Sequence, residues 1–154
     1  MAITQQFASF FVGDLCFGVD VLNVQEVRHM TVLTRVPLAA RVVAGVLNLR
    51  GHIVTAIDVR RCLDLGDRPA GHSPVNLILR TDDGCISLLV DRIGEVLDVT
   101  DDDFELPPQT LRGRSRDVIR GAYKLPDGLL LVLDVDRIVM GLAEKKAPLV
   151  FAEV

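Results

Sequence analysis

The side chains that most often carry catalysis or hold metals are few in this chain and poorly spaced for either task. Histidines stand only at His29, His52 and His72, and cysteines at Cys16, Cys62 and Cys85. No two histidines are three or four residues apart, the offset that puts two imidazoles on one helix face, and there is no CxxC pair. Each cysteine sits in or beside an apolar run, which is the setting of a buried reduced thiol. The phosphate loop GxxxxGKS/T, the dinucleotide GxGxxG, the zinc HExxH and the nucleophile elbow GxSxG are all missing. Thr81-Asp82-Asp83-Gly84 resembles an aspartic-protease signature only superficially, and it fits a turn better. One acid–base pair can be written down, His52 with Asp58, for a small hydrolase on a β-barrel scaffold. That chemistry would need a deep pocket and a perturbed pKa. No metal and no cofactor are expected.

A charged group in an apolar setting is the stronger signal. In the stretch GVLNLRGHIVTAIDVRR, residues 45–61, Arg50 lies between two strand-like runs with few ways to reach bulk water. A partly buried guanidinium needs a carboxylate, because an unpaired buried charge costs several kcal/mol. Glu26 and Asp58 are the candidates. Glu26 is the better one, since it would otherwise share a face with Val24 and Val27 and have no partner. An ion pair between Glu26 and Arg50 is therefore predicted.

Strands must position these groups. Gln5 to Val12 and Leu15 to Val19 flank Gly13-Asp14; Val75 to Thr81 and Cys85 to Asp91 flank Asp82-Asp83-Gly84; Val118 to Leu125 and Leu129 to Leu133 flank Pro126-Asp127-Gly128. Each set is a hairpin by its turn residues. Asp20 is placed to cap a short helix through Val21, Leu22, Val24, Gln25 and Val27, ending near Arg28-His29. Pro37 can open a second helical turn through Val43, and Asp134 can cap a helix over Val135 to Leu142. The Gly-, Pro- and Asp-rich DLGDRPAGHSP after Arg61 is the best internal boundary. Short strands with few helices point to a mainly β architecture closed into small barrels.

Composition narrows the function classes. With 154 residues, 49% hydrophobic and 25% charged, the chain matches one globular unit. A net charge of −4 offers no global positive field for a phosphate backbone, so nucleic acid is not expected. No run approaches the roughly 18 to 20 uncharged residues of a membrane span, and MAITQQFASFFVGD lacks the basic start of a secretory signal. A cytoplasmic location is expected. Asp91 to Glu105 holds seven carboxylates and Leu111 to Lys124 five basic residues, which reads as two solvated segments rather than as a docking patch at Arg112, Arg114 and Arg116.

An ordered set of short motifs then resembles the CheW family of chemotaxis coupling proteins. It comprises Phe17-Gly18-Val19-Asp20, Val24-Gln25-Glu26-Val27, Gly45-Val46-Leu47-Asn48-Leu49-Arg50-Gly51, Ile57-Asp58-Val59-Arg60, Leu89 to Val96, Gly121-Ala122 and Leu131 to Ile138. The resemblance implies a single CheW-like domain over residues 1–154, built of two small five-stranded SH3-like β-barrels around a shared core. The lobes would cover about 15–70 and 75–135, with both terminal segments completing the barrels. It implies a non-enzymatic adaptor that joins the cytoplasmic tip of a chemoreceptor to the regulatory domain of a CheA-type histidine kinase. A scaffold of a paralogous motility or biofilm array is the alternative. It places partner binding at a groove between the barrels, near Val24, Gln25, Glu26, Val27, Asn48, Leu49, Arg50 and Gly51. Val24, Val27, Leu47 and Leu49, most of which read as ordinary core by residue type alone, would be exposed contact area there, with Glu26 and Arg50 fixing register. Weak self-association in rings, without membrane insertion, also follows.

Overall fold

The computed structural model describes residues 3–29, 31–107 and 114–144. Arg112 and the tail from residue 145 lie outside them. The first hairpin is β1 (Thr4–Val12) and β2 (Leu15–Asp20), turning at Gly13, whose φ of +60° suits glycine. Asp20 does act as a cap, its Oδ1 accepting from the Leu22 N–H at 2.9 Å. What it caps is a single 3₁₀ turn, Val21–Asn23, and the chain then continues as strand β3 (Val24–His29), so the predicted helix is wrong. The cause is a register shift between Val24 and Glu26 in the pairing of β3. One extra residue there breaks the two-residue alternation, and the spacing of the valines then imitates a helical stripe. Pro37 likewise opens a turn and no helix.

The remaining elements are β4 (Val43–Leu49), β5 (His52–Asp58), α1 (Val59–Cys62), β6 (Val75–Thr81), β7 (Gly84–Val90), β8 (Arg92–Thr100), β9 (Phe104–Glu105), α2 (Arg114–Val118), β10 (Ile119–Leu125), β11 (Gly128–Leu133) and α3 (Val135–Glu144). Strand order is β8-β1-β2-β11-β10-β9 in a six-stranded sheet and β3-β6-β7-β5-β4 in a five-stranded one. The two sheets interleave along the chain. Residues 24–90 supply the second, while residues 4–20 and 92–133 supply the first, so the division does not fall at the 63–74 loop as expected. The acidic segment after Asp91 is also more than a solvated run. It forms β8, which turns Val99 inward and leaves Glu95 and Asp98 exposed.

Two closed five-stranded barrels were expected; among the described residues no ladder joins β8 to β9 or β3 to β4. Each sheet nevertheless curls until its ends approach. In the first, only the 3₁₀ turn Asp101–Asp103 separates β8 from β9, so four residue steps, at most about 14 Å, link the two edges. In the second, Thr34 beyond β3 makes an antiparallel bridge to Val46 on β4, with both hydrogen bonds 2.8 Å.

Burial follows that curvature. Phe7, Val99, Tyr123, Leu130 and Val132 fill the inside of the six-stranded curl, and Leu47, Leu49, Val54, Ala56 and Ile78 the inside of the five-stranded one. The largest cluster lies between them, where Phe10, Phe17 and Val19 meet Ile57, Leu77, Leu79, Ile86 and Leu88. Each such side chain contributes roughly 1.5 to 3 kcal/mol when fully buried.

A charged knot pins the two sheets where the chain crosses from one to the other. Asp91, between β7 and β8, accepts from Arg60 (Nε 3.0 Å, Nη2 2.6 Å), from Arg68 Nε at 2.8 Å and from the Gly13 N–H at 2.7 Å. Asp58 caps α1 through the Arg60 N–H at 3.0 Å and lies 3.6 Å from Arg68 Nη2. Burial alone would raise the Asp91 carboxyl, but Arg60, the Gly13 amide and Arg68 together hold it well below the usual carboxylate range. The same contact with Asp91 raises Arg60 above its ordinary value against the opposing effect of burial.

Candidate functional site

Arg50 stands at the tip of the β4–β5 hairpin. Leu49 pairs with His52 across a two-residue turn in which Arg50 (φ +52°) and Gly51 (φ +87°) are both left-handed. That is the type I′ geometry whose twist matches the strands it joins. Asn48 accounts for part of the turn's chemistry, its Oδ1 accepting from the Gly51 N–H at 2.8 Å. The guanidinium is therefore not trapped between strands as the sequence implied. Its side chain keeps 65% of its exposure, and it projects outward from the turn.

It meets Glu26 there. Arg50 Nη1 donates to Glu26 Oε1 at 2.6 Å, and Arg28 Nε donates to the other carboxylate oxygen at 3.0 Å. Glu26 and Arg28 both lie on β3, not on a helix. The hydrogen bond from Arg28, then that from Arg50, lowers the Glu26 pKa from its ordinary value.

The candidate contact residues separate by burial. Leu47 and Leu49, at 2% and 3% exposure, face the interior of the curled sheet and cannot be contact area. Val24 is half-buried and packs against the shared core. Val27 is exposed, Asn48, Arg50 and Gly51 are exposed, and Gln25 is half-buried with its Oε1 3.2 Å from Cys85 Sγ. The hydrolase pair fails on distance. His52 and Asp58 are the first and last residues of β5, about 20 Å apart along a strand, and Asp58 is committed to α1 and Arg68.

A cleft of about 450 Å³ lies between the two sheets. It is bounded by Leu22 and Asn23 just before β3, by Arg80 to Asp82 at the β6–β7 turn, and by Arg120 and Asp134 to Asp136 of the other sheet. The β4–β5 hairpin does not line it. The sequence pointed to β3 but gave no sign of Arg80 and Arg120, which come from strands 40 residues apart. No group of His, Cys, Asp or Glu able to hold a metal occurs among the described residues.

Residues 6–142, which carry the two interleaved sheets with β3 and the β4–β5 hairpin on one rim, match the CheW-like domain model. The chain belongs to the CheW family. Its members are non-enzymatic adaptors of chemotaxis, and the family match spans every described strand but the first two residues of β1. The chain is 28% identical over 140 residues to the chemotaxis protein CheW of Treponema pallidum, covering 86% of this chain and 81% of that one. To the CheW of Thermotoga maritima it is 27% identical over 138 residues, with 90% and 89% covered. Among solved structures it is similar to the scaffolding protein TtCheW from Thermoanaerobacter tengcongensis, with TM-score 0.76, 23% identity, and 85% and 89% of the two chains covered. That last likeness is one of fold.

Proposed function

We propose that this CheW-family chain bridges the cytoplasmic tip of a chemoreceptor and the regulatory domain of a CheA-type histidine kinase, in the cytoplasm. The receptor segment is taken at the rim formed by β3 and the inter-sheet cleft. Val27 and Leu22 supply apolar contact, and Glu26 with Arg50 sets the register. Leu22 keeps 81% of its exposure and Val27 37%, so both are available to a partner. The protein acts by geometry: it favours the arrangement in which receptor state biases the kinase, and it can shift that equilibrium only by its differential contacts with the two arrangements. Weak self-association through the sheet edges belongs to the same proposal.

The observation that carries this reading is the Glu26–Arg50 pair. It is an organised, charge-assisted contact on an exposed rim, where an ion pair adds little to stability. Arg50→Ala tests it. The expected outcome is an almost unchanged thermal midpoint with loss of pull-down by receptor-tip fragments or by the kinase regulatory domain. A variant that simply unfolds would make Arg50 structural and end the assignment.

A further inference from the structure

Beyond β3 the chain forms a strap. Leu33 packs into the inside of the five-stranded curl and Thr34 bridges to β4. Residues 35–41 then leave the seam and arch over a groove of about 820 Å³ that shares no residue with the inter-sheet cleft. Leu38, at the top of this arch, is fully exposed and has φ +63°. A leucine there is doubly out of place, since the left-handed region is costly for a side chain with a Cβ and no burial repays it. Ala39 and Ala40, beside it, pack against the shared core and anchor the arch, so Leu38 is held out by a fixed base.

Charge is equally lopsided. Arg35, Arg41 and Arg61 line the groove against Asp67, a local positive excess on a chain of net charge −4. Arg35 has no carboxylate within ion-pair distance among the described residues, and Arg41 has only the loose, exposed pair with Asp64 at 3.6 Å. Arg61 is held in place by donating to the Arg41 carbonyl at 3.0 Å and lies 3.6 Å from Asp58. The small side chains Ala39, Ala40 and Ala44 leave room for a backbone to come close.

We propose that residues 35–41 form a second docking surface, for an acidic segment of a partner protein that carries an aliphatic or aromatic anchor. Carboxylates of that segment meet Arg35 and Arg41, and the anchor packs on Leu38. Complementary charge gives such a surface its on-rate and register, and the anchor its residence. A phosphate backbone would satisfy the arginines and leave Leu38 without a role.

The test uses the full chain and a labelled peptide of alternating glutamate and leucine, read by fluorescence anisotropy. Peptides alternating glutamate with serine, and lysine with leucine, serve as controls. Binding of the first alone is expected, weakened about tenfold by Arg35→Ala with Arg41→Ala, in line with loss of two exposed charge contacts. Leu38→Gly separates function from folding. Glycine is at ease at φ +63°, so the thermal midpoint is expected to hold or rise while peptide binding is lost. Equal binding of the serine peptide, or unchanged binding in Leu38→Gly, overturns the proposal. So does sedimentation showing a concentration-dependent dimer that Arg41→Glu abolishes, which would assign the surface to a second copy.

Discussion

Glu26 and Arg50 come from opposite ends of one sheet and meet at 2.6 Å. Glu26 is on β3, the first strand in the order β3-β6-β7-β5-β4, and Arg50 caps the turn of β4, the last. Their contact is possible only because the sheet curls back on itself. With the Thr34–Val46 bridge it fastens a seam that no continuous ladder closes. One ion pair thus belongs both to the closure of the barrel-like lobe and to the rim where a partner is proposed to bind.

That double membership can be separated by pH. The guanidiniums of Arg28 and Arg50 lower the folded pKa of Glu26, so whatever stability the pair supplies is present above the ordinary carboxylate range and is lost as pH falls through the lowered value. Wild type and Glu26→Gln should have superimposable midpoints in acid and diverge, if at all, only as pH rises. Receptor-fragment binding by Glu26→Gln should stay weak at neutral pH. Divergence that grows toward acid would refute the sign.

Burial divides residues that the sequence had grouped together. Leu49→Ala should destabilise by about 2 to 5 kcal/mol, because the side chain is 3% exposed and its removal leaves a cavity inside the curl. Val27→Ala should stay within about 0.5 kcal/mol, as for most exposed positions, yet reduce partner binding. Urea denaturation of both variants, followed by pull-down of the folded one, checks the pair of outcomes.

Gly45 is where the strap crosses β4. A Cβ built there would stand 2.6 Å from the Thr34 carbonyl oxygen, a backbone atom that cannot move without breaking the bridge to Val46. Gly45→Ala should cost about 1 to 3 kcal/mol, the range for overpacking. Amide exchange at Thr34 and Val46 should quicken well beyond the rest of β4.

Most of the strands were legible because their turns were: Gly13-Asp14, Asp83-Gly84 and Asp127-Gly128 announce hairpins through residues with particular backbone freedom. β3 was not, since its bulge disguised the alternation. β8 was hidden by Glu95 and Asp98 on its solvent side, which made a strand resemble a solvated acidic run. Arg50 drew notice for burial it lacks. Its partner still followed, because Glu26 was the carboxylate without another role. The inter-sheet cleft had no local signal, since Leu22, Arg80 and Arg120 are brought together only by the interleaving of the two sheets.

The Asp91 knot was also invisible from the sequence, although Asp58, Arg60 and Asp91 all lie within the motifs of the family resemblance. It gives the sharpest stability prediction. Asp91 gathers Arg60, Arg68 and the Gly13 amide at the crossing between the sheets, and the Arg60 and Asp91 side chains retain only 10% and 16% of their exposure. Asp91→Asn keeps the shape but removes the charge, leaving the Arg60 and Arg68 guanidiniums with only the weaker attraction of Asp58 and, at Arg60, of Asp67. Breaking one partner of a buried pair typically costs about 3 to 5 kcal/mol. Because the folded pKa of Asp91 lies well below its unfolded value, the contribution is complete above the ordinary carboxylate range and drains away only as pH falls below it. The gap between Asp91→Asn and wild type should therefore be widest at neutral pH and narrow in acid. Replacing Asp91 with Leu would leave the arginines equally unpaired and should be no better. If Asp91→Asn melts within a degree or two of wild type at pH 7, the sheets are held by their shared apolar core alone.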